Sequence, residues 1–302
     1  MMLRQGLIAI ALLTLPGSCI AAPAPQAQPK AKPVQAATVI RAAAPKPLAI
    51  GKFELNRAPQ QGSLVIGRVP SGVKRLVIDG RNVPIAPDGR FLAGYDRDYA
   101  TSTLMTAFLA NGEALSETLP VAKRWWKIEN LATLPHHSQP NAEYQRRRPG
   151  ELAQINAARR KDNLSDGWRQ RLIWPAKGRV SGLFGSQRIY AGEPGSPHGG
   201  VDVAGGVGAP VVAPADGVVI LAAASPFTLE GNLLMIDHGM GLNSAFLHLS
   251  RINVKPGDRV VQGQLIGAIG QTGRATGPHL HWGMRWNSEK IDPQPLAGPM
   301  TP

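Results

Sequence analysis

Cysteine is nearly absent: the 302 residues contain one, Cys19. A single thiol excludes both a disulfide framework and a thiolate zinc cluster. Aromatic residues reach only 5% and charged residues 18%, yet 43% of the side chains are hydrophobic, enough to fill a core and to exclude a disordered polar chain. Beyond the N-terminus no apolar run approaches the ~20 residues of a membrane span, which argues against a polytopic membrane protein. Acidic residues are scarce in one part only. Of the 33 Lys and Arg, 24 precede Trp174, against 12 of the 20 Asp and Glu, so the last 129 residues carry +1 of the net +13. A nucleic-acid enzyme should be basic in its working domain, so no nucleic-acid partner is expected. The basic front end suits contact with an anionic cell-envelope polymer.

Residues 1–21 read as a signal peptide. Arg4 supplies the positive start, Gly6 to Leu15 form an apolar stretch too short for a stable anchor, and small residues follow around Cys19 and Ala21. Leu15-Pro16-Gly17-Ser18-Cys19 has some likeness to a lipidation site, but Pro16 departs from the usual pattern, so lipidation at Cys19 is not expected. The chain is expected to be exported to the periplasm or cell envelope, with no transmembrane anchor after cleavage. Residues 22–54 form a Pro/Ala-rich spacer, with 6 Pro and 10 Ala between Ala22 and Ile50.

From Leu55 the pattern becomes β-rich. Strands are predicted at Ser63–Val69, Lys74–Ile78, Asn82–Ile85, Arg90–Ala93, Ser102–Ala110 and Leu115–Val121, separated by the turn signals Asp79-Gly80, Asp88-Gly89 and Asn111-Gly112. This predicts a small β-sandwich-like domain over 55–122 with no cluster of catalytic residue types. Residues 123–173 read as a basic helical connector, its helix opening at Pro149 and running to about Asn163.

Five of the seven histidines fall in residues 174–302, in three blocks: His198-Gly-Gly-Val-Asp202; Asp237-His238-Gly239 leading to His248; and His279-Leu280-His281-Trp282. If the third block is a strand, residues two apart share a face. Both imidazoles then enter one cleft, Gly283 and Arg285 continue that face, and Leu280, Trp282, Met284 and Trp286 enter the core. Two histidines and one carboxylate are the ligand set of a catalytic zinc, with the fourth position left to water. His198 and Asp202, with two glycines between them, bring a nitrogen and a carboxylate to such a site. Spacing alone leaves open which of His279 and His281 completes it.

The blocks His198-x-x-x-Asp202 and His279-x-His281 resemble the two signature motifs of the lysostaphin-type (LytM-like) zinc metallopeptidases, which are peptidoglycan endopeptidases. Between them, Ala213-Pro-Ala-Asp-Gly217, Ile236-Asp-His238-Gly, Leu247-His248-Leu-Ser and Gly270-Gln-Thr-Gly fall in that family's order. The resemblance runs from about Trp174 to Pro293. It implies a mainly β fold, with a C-terminal duplicated hybrid motif (a barrel-sandwich-like antiparallel domain) over 174–302. It implies that His198, Asp202 and His281 bind Zn2+, and that His248 and His279 serve as general base and transition-state stabiliser in an order the sequence leaves open. His238 is then structural, and Phe246 stands where many members have Tyr. The implied activity is hydrolysis of peptidoglycan cross-links or stem peptides, a D-Ala–diaminopimelate bond being the first expectation. Loops at Ala191–Gly195 and Pro226–Gly231 are expected to rim the groove. The alternative is a non-catalytic or autoinhibited wall-binding activator of another hydrolase, with the basic helix covering the site. The stretch Val254–Gly267 also carries the strand-turn-strand pattern of lipoyl carriers, but it lacks the modified lysine they need.

Overall fold

The computed structural model describes residues 48–50, 52–132 and 141–300. The expected signal peptide and the Cys19 alternative lie outside the described residues, as does most of the spacer. No helix among the described residues is long and apolar enough to cross a membrane.

Ordered strands begin before Leu55. Leu48–Ile50 and Phe53–Leu55 pair antiparallel inside the predicted spacer, and Phe53–Leu55 pairs onward with Leu64–Arg68. The physical reason is alternation: Phe53 and Leu55 are buried while Glu54 between them is exposed. Leu64–Arg68 then pairs with Arg90–Gly94 to close a four-stranded sheet. A second four-stranded sheet runs in the order Arg81–Val83, Val73–Ile78, Ser102–Leu109, Ala114–Pro120. The six predicted strands are therefore all present, each within two residues of its expected ends. Leu55, Val65 and Leu92 of the first sheet share a buried cluster with Leu76, Ile78 and Met105 of the second.

The helix differs from its prediction. It spans Ala142–Arg159 and is capped by Asn141, whose side chain accepts a hydrogen bond from the Tyr144 N–H at 2.8 Å. Pro149 lies in its interior, where the missing N–H normally costs about 3 kcal/mol. The flanking residues compensate. Arg148 donates to both Glu230 oxygens, at 2.6 and 2.8 Å, and Glu151 accepts from the Thr228 N–H and hydroxyl at 2.8 and 2.6 Å. Ile155 and Ala158 complete the contact by packing on Ile220, Phe227, Leu233 and Met235. The connector also supplies a strand that the sequence pattern did not reveal: Ile128–Leu131 pairs parallel with Gln187–Tyr190.

The C-terminal region is built on one antiparallel sheet whose central order is Val180–Gly182, Gly200–Ala204, His279–Trp286, Leu242–Leu249, Asn232–Gly239, Gly217–Ala222. A separate three-stranded sheet carries Pro210–Val212, Leu265–Ala268 and Arg251–Ile252. On Gly200–Ala204 and His279–Trp286 the side chains alternate, only the glycines Gly200 and Gly283 being buried on the other face: Val201, Val203, Leu280, Trp282 and Met284 are buried to within 1% exposure. A fully buried side chain of this size contributes about 1.5–3 kcal/mol. Locking that face into the core presents the opposite face, with Asp202 and His281, to the cleft.

Candidate metal centre

Strand pairing fixes the first contact. Asp202 and His281 are register partners, as are Ala204 and His279. Directly opposed residues project to the same side with Cβ atoms about 4.5–5.5 Å apart. His198 arrives from the loop before Gly200. Its N–H donates to Ser186 O at 2.8 Å and its carbonyl accepts from the Gly185 N–H at 2.9 Å, which aims the ring at Asp202. Two glycines allow this convergence. A Cβ on Gly182 would stand 2.3 Å from Asp202 Oδ2, and one on Gly200 2.8 Å from His281 Nε2.

The result is three donor atoms in mutual contact. His198 Nε2 lies 3.1 Å from Asp202 Oδ1 and 3.0 Å from His281 Nδ1, and the latter is 2.9 Å from the same Oδ1. Among the described residues these three side chains form the one cluster able to offer three ligands to a metal ion. A tetrahedral zinc with bonds of about 2.0–2.2 Å needs donors roughly 3.3–3.6 Å apart. A shift of a few tenths of an ångström would seat it, so the residues fit the metal.

Carbonyl contacts set the tautomers. A carbonyl can only accept, so the ring nitrogen facing it carries the hydrogen and the other keeps its lone pair. His198 Nδ1 faces Leu183 O at 3.0 Å, His248 Nδ1 faces Thr272 O at 2.8 Å, and His279 Nδ1 faces Gly277 O at 2.8 Å. Each Nε2 is left as a base. His279 Nε2 is 3.8 Å from Asp202 Oδ1, and the His248 and His279 rings stand 4.8 Å apart.

His248 reaches the site by breaking its strand. Leu247 pairs with His281 and Phe246 with Trp282, so regular alternation would send His248 to the core side with Phe246. Its φ of +64° interrupts the alternation. Such a conformation costs a non-glycine residue about 1–3 kcal/mol and persists only where surrounding contacts enforce it. Here the His248 N–H donates to Glu230 O at 2.8 Å and Nδ1–H to Thr272 O.

Electrostatics separate the roles further. Burial pushes the Asp202 carboxyl up, but the His198 and His281 hydrogen bonds outweigh it and hold the group well below the usual carboxylate range. Burial lowers His198, but Asp202 outweighs it and raises the imidazole. Burial dominates at His281 and lowers it. His248 is pushed down to about 4 by burial, with the charges of His279 and His281 acting in the same direction, so it is neutral at physiological pH. His238 lies apart from the site and is satisfied at both nitrogens, by Asp216 O and Ser244 Oγ, each at 2.8 Å. The carbonyls of Leu183, Thr272 and Gly277 left no mark in the sequence pattern, because a backbone acceptor has no residue type.

A groove of about 240 Å³ runs from His281 along the sheet face. Leu229 and Glu230 of the 226–231 loop line it, as do Ile155 and Arg159 of the helix, whereas no residue of 191–195 does. A second cavity of about 340 Å³ flanks His198 and includes Arg97, Phe184 and Lys290.

An antiparallel β-sheet presenting a His-Asp-His cluster able to hold a metal, beside two further imidazoles, is the arrangement of a zinc peptidase centre. Residues 196–293 match the model of peptidase family M23, and this segment of the chain is an M23 peptidase domain. The chain is 42% identical over 114 residues to the peptidoglycan DD-endopeptidase ShyA of Vibrio cholerae, covering 37% of this chain and 26% of that protein. It is 39% identical over 105 residues to an uncharacterized metalloprotease of Haemophilus influenzae, covering 35% and 22%. The matched segment thus spans about a quarter of those curated relatives. A Pseudomonas aeruginosa crystal structure assigned to peptidase M23 superposes with a TM-score of 0.64 at 28% identity, covering 80% of this chain and 96% of that one.

Proposed function

We propose that the chain is a zinc metalloendopeptidase of the cell envelope that hydrolyses peptide bonds in peptidoglycan cross-links or stem peptides, reaching its substrate by export. The observation that carries the reading is the convergence of His198, Asp202 and His281 on one point, with the rings of His248 and His279 beside it and each bonded to a carbonyl through Nδ1. The similarity to ShyA, a DD-endopeptidase by name, supports the substrate class.

His198 Nε2, Asp202 Oδ1 and His281 Nδ1 would hold the metal. When bound, zinc supplies Lewis acidity and makes water a nucleophile at neutral pH. The chain's own groups do the rest. His248, kept neutral by burial, and His279, fixed by Gly277 O, each offer an Nε2 that can take a proton and return it to the departing amine. Once protonated, either Nε2–H is a donor for charge developing on the carbonyl oxygen of the cleaved bond. Leu229 and Ile155 line an apolar wall that keeps part of the groove dry. A D-Ala–diaminopimelate bond remains the preferred target.

The test is digestion of purified cross-linked peptidoglycan by the chain, with mass spectrometry of the fragments. Cleavage abolished by a chelator and restored by zinc is the expected result, and the fragments name the bond. Intact sacculi in the presence of zinc would overturn the reading.

A further inference from the structure

We propose that the groove leading from the metal ligands ends in an anion-binding subsite formed by Arg159 and Arg285, which takes a free carboxylate of the bound peptide. The inference rests on the peptide-cleavage reading above and adds to it a substrate preference.

The floor of the groove is one sheet face. His281, Gly283 and Arg285 alternate along His279–Trp286, and their register partners are Leu247, Ala245 and Asn243. All six line the groove. At about 3.4 Å per residue, Arg285 sits roughly 14 Å of strand away from His281. Gly283, which has no side chain, lines the groove between them. That separation places an anion held by Arg285 several residues from the cleaved bond.

The charge balance at that end is unusual. Arg159, Arg285 and Lys290 all line the groove, and Lys290 is the register partner of Arg285. The one acidic side chain in the lining, Glu230, already has both oxygens on Arg148. Arg159 Nε is buried and has no hydrogen-bond partner, while Arg285 donates to Ser288 O at 3.3 Å. Burial and the Arg285 charge lower Arg159 to about 10, which leaves it cationic at neutral pH. The Glu230 charge offsets part of this effect but leaves the buried Arg159 Nε without a partner, and a guanidinium's planar fork matches a carboxylate with two parallel hydrogen bonds. Stem peptides of peptidoglycan carry side-chain carboxylates that are either free or amidated, so the same peptide exists with and without the predicted anchor.

The experiment is calorimetric titration of the full chain, stripped of metal, with a synthetic cross-linked stem peptide. The peptide is supplied once with its D-glutamate and diaminopimelate carboxylates free and once with both amidated. The free form should bind on the order of tenfold or more tightly, and the preference should vanish in Arg285→Gln and in Arg159→Gln. Circular dichroism checks that each variant is folded, and the wild-type comparison stands without either. Equal affinities, no binding of either peptide, or a preference that survives in folded Arg285→Gln and Arg159→Gln would overturn the subsite. Because the readout is binding, the two readings fail separately. Discrimination without cleavage by the zinc-loaded chain sinks the peptidase, and cleavage without discrimination sinks the subsite.

Discussion

The strands of residues 48–122 and those of residues 180–291 are built alike, with apolar faces turned inward and glycine-bearing turns between them, yet they treat polar side chains in opposite ways. In the first region Asp79 is surrounded by its own partners: the Leu104 N–H at 2.7 Å, the Thr103 hydroxyl at 2.6 Å and the Tyr99 hydroxyl. In the second, His248 and His279 are hydrogen-bonded to a carbonyl at Nδ1 only, and their rings stand 4.8 Å apart beside the cluster. His238, in the same sheet, is bonded at both ends as Asp79 is. What distinguishes a site from a support is thus whether the chain itself uses up a polar group's hydrogen-bonding capacity, since a buried group left unpaired costs about 1–3 kcal/mol that a ligand or water can offset.

The contrast breaks hardest at the ligands. His281→Ala or Asp202→Ala is expected to reduce bound zinc from about one per chain to nearly none, and to lower peptidoglycan cleavage at least a hundredfold. Elemental analysis of the purified variants alongside dye-release assays measures both. Asp79→Asn should leave both readouts at wild-type values. Zinc retained in His281→Ala would mean that the cluster is not the metal site.

The next effect sharpens the comparison within the site. His248→Ala and His279→Ala should keep zinc and lose about 10²–10⁴ in kcat, the range for removing a group that moves a proton in the transition state. If either variant sheds its zinc as His281→Ala does, that residue is a ligand rather than a partner of the water.

The difference between these histidines shows how far the sequence can be read. The pair His279 and His281 was legible because a strand has a strict period of two, and Leu280, Trp282 and Met284 mark the opposite face as core. His248 was a candidate by residue type and took its role from family resemblance, since regular alternation would bury it beside Phe246, and nothing local announces its left-handed backbone. Resemblance also favoured His281 over His279 as the ligand, a choice that spacing had left open. The six strands from Leu64 to Pro120 were read to within two residues because Asp79-Gly80 and Asn111-Gly112 are specific turn signals, whereas the two strands before them read as spacer. The helix start was misplaced because Pro149 suggests a first turn, whereas the Asn141 cap and the Glu151 contacts, which are tertiary, carry the helix through it. Arg159 was invisible as a groove residue for the same reason: only the packing of Ile155 on Phe227 and Leu233 turns that face of the helix toward the sheet.

A smaller effect separates the histidine that supports from those that act. His238→Ala should cost about 1–3 kcal/mol of stability by leaving the Asp216 carbonyl and the Ser244 hydroxyl without their partner. Cleavage per folded molecule should be unchanged. Denaturant titration together with initial rates distinguishes this from His248→Ala, for which the reverse is expected.

The smallest effect lies in the first region and depends on pH. Burial raises the Asp79 carboxyl, but hydrogen bonds from Leu104, Thr103 and Tyr99 and the charge of Arg81 outweigh it, so its pKa in the folded chain is below the ordinary 3.8. A group whose pKa is depressed by folding contributes stability that is complete above its unfolded value and is lost as pH falls through the folded one. Asp79 also holds φ at +46° ahead of Gly80 at +79°, the two-residue turn between Val73–Ile78 and Arg81–Val83. Asparagine tolerates that backbone, so Asp79→Asn removes the charge and leaves the turn intact. Melting temperatures of wild type and variant should therefore differ by a constant few degrees from about pH 5 to pH 8 and converge below pH 4. A gap that persists unchanged into acid would assign the loss to the amide's poorer fit among Thr103, Tyr99 and Leu104 rather than to the carboxylate's charge. The support region would then owe its order at this turn to shape more than to electrostatics.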